Sequence, residues 1–248
     1  MENNRKFMQC PDFFEKMKES DQAKGAAAPA FGKNITGEVF VLSSFENAVR
    51  ADSYVNMLDT RRSIRSYANT AMTQAQLAFM LWSTQGMQSY RSDVAVFRPV
   101  PSGGSRHPFE TYVTVRAVEG LKPGLYHYLP AENIGEKRVT IQRIGDLPDY
   151  ENTITEMVAG QAWVAKAPVV LFYSCVPYKS EWRYVDMSHR VMLIDLGHVG
   201  QNAMLSAVAL GLGSCCLAAY NQEACDRVIG LDGLEEYTVY GVSVGQEG

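Results

Sequence analysis

PVVLFYSCV, residues 168–176, is an apolar run dominated by β-branched and aromatic residues. It shows no strict alternation of apolar and polar positions. A strand that reads this way is buried on both faces, so it belongs in the middle of a sheet. The stretches around it supply partners. FETYVTVRAV (109–118) reads as a strand, GLYHY (124–128) as a short strand after a Pro-Gly turn, and KRVTIQRIG (137–145) as another. Downstream, GLGSCCLAA (211–219) reads as a second buried strand and TVYGVSVG (238–245) as the last.

Helices lie between these strands. Residues 72–87 form one, with Thr73 as N-cap, Leu77, Met80, Leu81 and Trp82 on one face, and Gly86 at the end. Asn152–Ala165, His189–Leu210 and Gln222–Ile229 read as three more, the last stopped by Gly230. A helix also starts near Tyr54–Leu58, and a short one spans Asp12–Lys18. Helices and strands intermix, so the class is α+β or α/β around one sheet. Residues 1–50 read as an arm or extension, and 51–248 as one domain.

The 248 residues carry 23 basic and 27 acidic side chains, for a net charge of −4. That balance gives no general basis for nucleic-acid binding. The N-terminus MENNRKFMQCPDFF has no apolar core of a signal peptide, and the polar residues Asp195, His198, Gln201 and Asn202 argue against a membrane-spanning 189–210 helix. Five cysteines, an odd count with Cys215 and Cys216 adjacent in an apolar run, fit reduced thiols in a cytoplasmic protein. They do not combine with the four histidines at zinc spacing.

Three constellations carry chemistry. RRSIRSY (61–67) sets Arg61, Arg62 and Arg65 around Ser63, and guanidinium forks match phosphate oxygens. The alternative is a solvated basic patch. PVPSGGSRHP (99–108) has more donors than a turn needs, and Gly103-Gly104 removes side chains where something approaches closely. It holds no carboxylate for a metal, and is neither a GxGxxG nor a GxxxxGK[ST] motif. GLGSCCLAAYNQ (211–222) is a glycine-rich entry to a strand with small residues at its end, suited to a ligand or to tight core packing. Asp195 and His198, three apart on one helix, are expected to hydrogen-bond each other rather than to act as a catalytic pair. The small residues Gly197, Gly200, Ala203, Ala207 and Gly211 suit core packing or a subunit interface.

In this order, RRSIRSY, PSGGSRHPFETYV, GLKPGLYHY (120–128), IDLGHVGQNAMLSAVALGLGSC (194–215) and YGVSVG (240–245) resemble the nitroreductase-like flavoproteins, in particular their SagB-type dehydrogenase, azoline oxidase-like branch. The resemblance covers roughly residues 55–245. It implies a mixed, mostly antiparallel sheet wrapped by helices, and an intertwined homodimer with two FMN sites at the interface. It assigns Arg61, Arg62, Ser63 and Arg65 to the FMN phosphate and ribityl chain. Pro101, Ser102, Gly103 and Ser105 would reach the flavin of the other subunit, Ala218 and Ala219 would lie near its N(5) edge, and Gln161 would contact the ring.

The resemblance further implies an FMN oxidoreductase taking hydride from NAD(P)H or an organic donor and passing it to a nitroaromatic, a quinone or a similar acceptor. Alternatives are a dehydrogenase or desaturase of a small or peptide-derived substrate, and a flavin-binding module without turnover in a modification complex. Azoline-oxidising members carry a lysine-tyrosine pair where this chain has Arg183 and Tyr184. Arginine is no base at neutral pH, which argues against azole formation and leaves Tyr184 as a proton donor or a packing residue. The resemblance would place basic phosphate ligands just past the final glycine, and QEG after Gly245 has none, so the arginines at 61–65 are expected to carry the phosphate, or Arg106 to help.

Overall fold

The computed structural model describes residues 9, 13–50 and 53–248. Cys10, Asp12 and the start of the expected N-terminal helix lie outside them; the described part of that helix, α1, is Phe13–Met17. Among the described residues nine strands follow the order β1 (Val39–Val41), β2 (Ser89–Ser92), β3 (Ala95–Phe97), β4 (Phe109–Val115), β5 (Gly124–Tyr128), β6 (Thr140–Gly145), β7 (Val169–Cys175), β8 (Gly213–Leu217) and β9 (Tyr237–Gly245). The other helices are α2 (Tyr54–Thr60), α3 (Gln74–Gln85), α4 (Tyr150–Met157), α5 (Tyr178–Tyr184), α6 (Ser188–Ala209) and α7 (Gln222–Ile229).

Seven strands make one sheet in the order β1-β6-β5-β4-β7-β9-β8. Every neighbouring pair in it is antiparallel. An isolated parallel bridge, Ser63 to Ser214, adds the arginine-serine motif to the β8 edge. The fold is therefore α+β. Strand β7 is central and buried along its whole length, as its apolar run demands. Its side chains alternate between two cores. Val169, Leu171, Tyr173 and Cys175 face one with α3 and α6, while Val170 and Phe172 face the other with α4 and α7. Each such side chain taken fully from water contributes about 1.5–3 kcal/mol.

Thr73 caps α3 through a reciprocal capping box with Gln76, and Gly86 follows its end. Helix α7 has the expected bounds and ends on Gly230 in the left-handed region. Two expectations need correction. Helix α4 stops at Met157, eight residues before Ala165, because Ala159 and Gly160 both take positive φ and turn the chain. Strand β8 ends at Leu217, which leaves Ala218 and Ala219 exposed beyond the sheet.

Helix α6 packs most of its small residues inward. Ala203 and Ala207 are fully buried, and Gly200 lets the Tyr240 ring lie against the helix, since a Cβ there would come within 2.7 Å of it. Asn202 donates to the Ser83 carbonyl, and the Ser206 and Ser83 hydroxyls meet at 2.8 Å, so α6 is tied to α3 by polar bonds as well. Leu193, Ile194, Gly197, His198 and Gln201 remain exposed on its other side.

Candidate functional site

The loop from Pro101 to Pro108 bends through three left-handed residues, Gly104, Ser105 and His107. Two of these carry side chains, a backbone cost met only where surrounding contacts hold it. Those contacts come from α6. The Ser102 hydroxyl donates to Asp195 Oδ2 at 2.6 Å, and the Gly103 N–H donates to Asp195 Oδ1 at 3.0 Å. The His107 N–H in turn donates to Ser102 Oγ at 2.9 Å. Burial raises the pKa of the Asp195 carboxyl, and the two donors from the loop offset only part of that rise. The expected Asp195–His198 hydrogen bond is therefore not formed. Asp195 faces the loop, and His198 is exposed.

The adjacent glycines have a concrete reason. A Cβ on Gly103 would sit 2.3 Å from Val191 Cγ1. One on Gly104 would sit 2.6 Å from Arg183 Cδ and 2.7 Å from the Tyr184 hydroxyl. What approaches the loop closely is thus the chain's own Arg183–Tyr184 pair at the end of α5. Tyr184 is mostly buried, its ring 5.7 Å from Phe13 and its hydroxyl against Gly104. Arg183 donates to Gln22 Oε1 at 2.5 Å, so the N-terminal segment also reaches this corner. The Ser105 hydroxyl is turned inward to the Val96 carbonyl. Pro101 is exposed at the mouth of the loop.

The arginine-serine motif lies elsewhere along α6. The Ile64 N–H donates to the Ser214 carbonyl at 3.0 Å, which fixes the segment beside β8. Arg62, Ser63 and Arg65 are exposed there, and Arg61 is half-buried against Met204. Among the described residues none of the three guanidinium groups is in an ion pair. Arg65 lies over the Trp163 ring, which stacks on Tyr67. Gln161, two residues before that ring, donates to the Ala219 carbonyl at 2.8 Å. Arg61, Arg62, Ser63, Arg65, Gln161, Ala218 and Ala219 are therefore gathered around one edge of the sheet. Three guanidinium forks free of ion pairs, Arg62 and Arg65 exposed and Arg61 half-buried, suit a phosphate such as that of FMN, and nothing in that group is acidic.

The two clusters do not meet within one chain. Met204 and Asp195 are nine residues apart on α6, roughly 14 Å along its axis. Arg106 belongs to neither surface. It is buried, stacked 4.8 Å over Trp182 and donating to the Gly104 carbonyl, so its guanidinium points inward. Trp163 and the anchoring role of Asp195 escaped the sequence reading. Both depend on contacts between distant segments, and only the Gln161–Trp163 proximity left a local trace.

Among the described residues there is no cluster of three or more potential metal ligands, and no helix long and apolar enough to cross a membrane.

The pattern of the nitroreductase family matches residues 58–246. A Methanocaldococcus jannaschii protein named "Putative nitroreductase MJ1384" is 30% identical over 192 residues, covering 77% of this chain and 90% of that protein. The trifolitoxin-processing protein TfxB of Rhizobium leguminosarum bv. trifolii is 29% identical over 151 residues, which are 60% of this chain but only 39% of TfxB. Among solved structures, a chain of the E. coli microcin synthetase McbBCD complex with truncated pro-MccB17 bound superposes with a TM-score of 0.59 at 17% identity, covering 96% of this chain and 94% of that one.

Proposed function

The chain belongs to the nitroreductase family, whose members are generally flavin-dependent, and from that premise we propose that it is a homodimeric FMN oxidoreductase. It takes hydride from NAD(P)H or an organic donor and passes it to an acceptor such as a nitroaromatic or a quinone. The observation that carries this reading is the group of three guanidinium forks at 61–65, outside any ion pair among the described residues, beside Trp163 and the exposed Ala218–Ala219 backbone. Residues 51–248 are the flavin-binding unit and 1–50 its extension.

Bound FMN would supply the hydride-storing ring, and the protein needs to bind, orient and tune it. Arg61, Arg62 and Arg65 hold the phosphate, with Ser63 donating beside them. The backbone at Ala218–Ala219, anchored through Gln161, faces the ring edge. The separation of the 101–105 loop from this cluster supports a site completed by a second subunit. Leu193 and Ile194 on α6, each about half exposed, lie on the same exposed apolar surface type as Tyr54, Val55 and Leu58 on α2, which suits burial between two copies. Pro101, Ser102, Gly103 and Ser105 would then line the partner's flavin through backbone, since the Ser102 and Ser105 hydroxyls are already engaged. Tyr184 would stand behind them as a proton donor, its hydroxyl against Gly104. Free Cys175, Cys215, Cys216 and Cys225 suit a reducing compartment such as the cytoplasm.

The likeness to TfxB and to the McbBCD chain favours a second reading, a SagB-type dehydrogenase or flavin-binding module acting on a small or peptide-derived substrate. Arg183 supports the module form, because it offers no base.

A visible spectrum of the purified protein, then anaerobic NADH or NADPH, tests both. Yellow protein that bleaches supports the first reading. Yellow protein that keeps its colour supports the second, and protein that stays colourless with added FMN defeats both. Arg61→Ala and Arg65→Ala should each weaken FMN binding tenfold or more, since a charge-assisted contact contributes about 1.5–3 kcal/mol and about 1.4 kcal/mol is a factor of ten.

A further inference from the structure

A second group of cations lies beneath the 101–107 loop, remote from the exposed forks at 61–65. Arg98, Arg106, His107 and Lys179 are 8%, 7%, 6% and 9% exposed. Together they line a cavity of about 10 Å³ that Pro29, Ala30 and Phe31 complete. That is room for a single body the size of a water molecule.

The charges around it do not balance. Lys179 Nζ pairs with Glu110 Oε1 at 2.5 Å, and Glu110 Oε2 accepts from His127 Nε2 at 3.1 Å. Glu110 is thereby spent on two partners. Arg98 donates to the Gln85 carbonyl at 3.2 Å and to Gln85 Oε1 at 2.7 Å, both neutral acceptors, and the buried Arg98 Nε–H has no partner among the described residues. Arg106 donates to the Gly104 and Val94 carbonyls, also neutral. Among the described residues neither guanidinium is in an ion pair. Three buried cations thus face one carboxylate. His107 adds no charge, since burial and the neighbouring Arg98 hold its ring neutral. Buried charge without a counter-charge is strongly unfavourable.

We propose that a monatomic anion of halide size occupies this cavity, held by Arg98 and Arg106 and covered by the Pro29–Phe31 segment. A water molecule would satisfy the free Arg98 donor but leave the excess charge. A sulfate, phosphate or carboxylate is larger than the space. The lining contains no competing acid. Because Arg106 also grips the Gly104 carbonyl, the anion stabilises the base of the glycine loop and fixes its shape from inside. This site stands apart from the flavin reading and does not depend on it.

The test compares thermal unfolding of the full chain in sodium chloride, sodium bromide and sodium gluconate at one ionic strength. Chloride and bromide should each raise the midpoint over gluconate, by roughly 4–8 °C when the halide is thirtyfold above its Kd. Arg98→Met should abolish the difference. Equal midpoints in all three salts, or an unchanged halide effect in Arg98→Met, would overturn the site. Bromide-soaked crystals of the unmodified protein give a reading that needs no variant. An anomalous peak between Arg98 and His107 supports the proposal, and its absence at high bromide refutes it.

Discussion

Replacing Gly104 by alanine tests how tightly the loop is clamped against Arg183 and Tyr184. Two costs add. The first is conformational: φ is +58°, and a residue with a Cβ there loses roughly 1–2 kcal/mol. Part of it is returned by the stiffer unfolded chain, about 0.4–1 kcal/mol. The second is steric, because the new methyl would stand 2.6 Å from Arg183 Cδ and 2.7 Å from the Tyr184 hydroxyl. Overpacking of this kind costs about 1–3 kcal/mol. The expected loss is therefore about 2–4 kcal/mol. Gly160 supplies the control. Its φ is +86° and a Cβ there meets nothing within 4 Å, so Gly160→Ala carries the conformational cost alone, about 1 kcal/mol or less. Urea unfolding of both variants, monitored by tryptophan emission, reads the difference directly. Equal destabilisation would refute the clamp, because it would mean that Arg183 and Tyr184 step aside freely.

Ile194→Asp, at an exposed position on α6, should convert the proposed dimer to monomer and release flavin with it; sedimentation velocity that shows one species for both proteins would reject α6 as the interface. His107 supplies a pH dependence. Burial, then the Arg98 charge, lowers its pKa to about 3 from an ordinary 6.5. The folded state binds this proton less readily than the unfolded state. Stability from this group is thus complete above about pH 6.5 and declines as pH falls towards 3. His107→Asn should show a shallower loss between pH 7 and 4.5 in urea titrations, and parallel curves would refute the assignment.

Local chemistry made much of the fold legible. A short apolar run rich in β-branched and aromatic residues and closed by prolines reads as a doubly covered strand, and β7 is one. Thr73 and Gly230 marked helix ends because caps act within a turn of their own position. Where the sequence reading went astray, the deciding contact was distant or the backbone unusual. Helix α5 went unread although Pro177 stands at its start. The end of α4 turns on Ala159, a residue with no intrinsic reason to adopt φ +53°. At the site, the arginines and glycines were legible as types. Their separation along α6 was not, and neither was the commitment of Asp195 to Ser102, 93 residues away.

Strand β1 carries a practical consequence for anyone shortening this protein. It is three residues long, and its pairing with β6 places it at the outer border of the sheet. Leu42 and Phe45, just after it, are inserted into the main core. A chain begun at residue 51 would uncover the Thr140–Gln142 rim of β6 that β1 pairs with, and leave holes where those two side chains sat. An uncovered rim of that kind recruits other chains. Such a truncation should sediment as aggregate, however complete its flavin motifs remain.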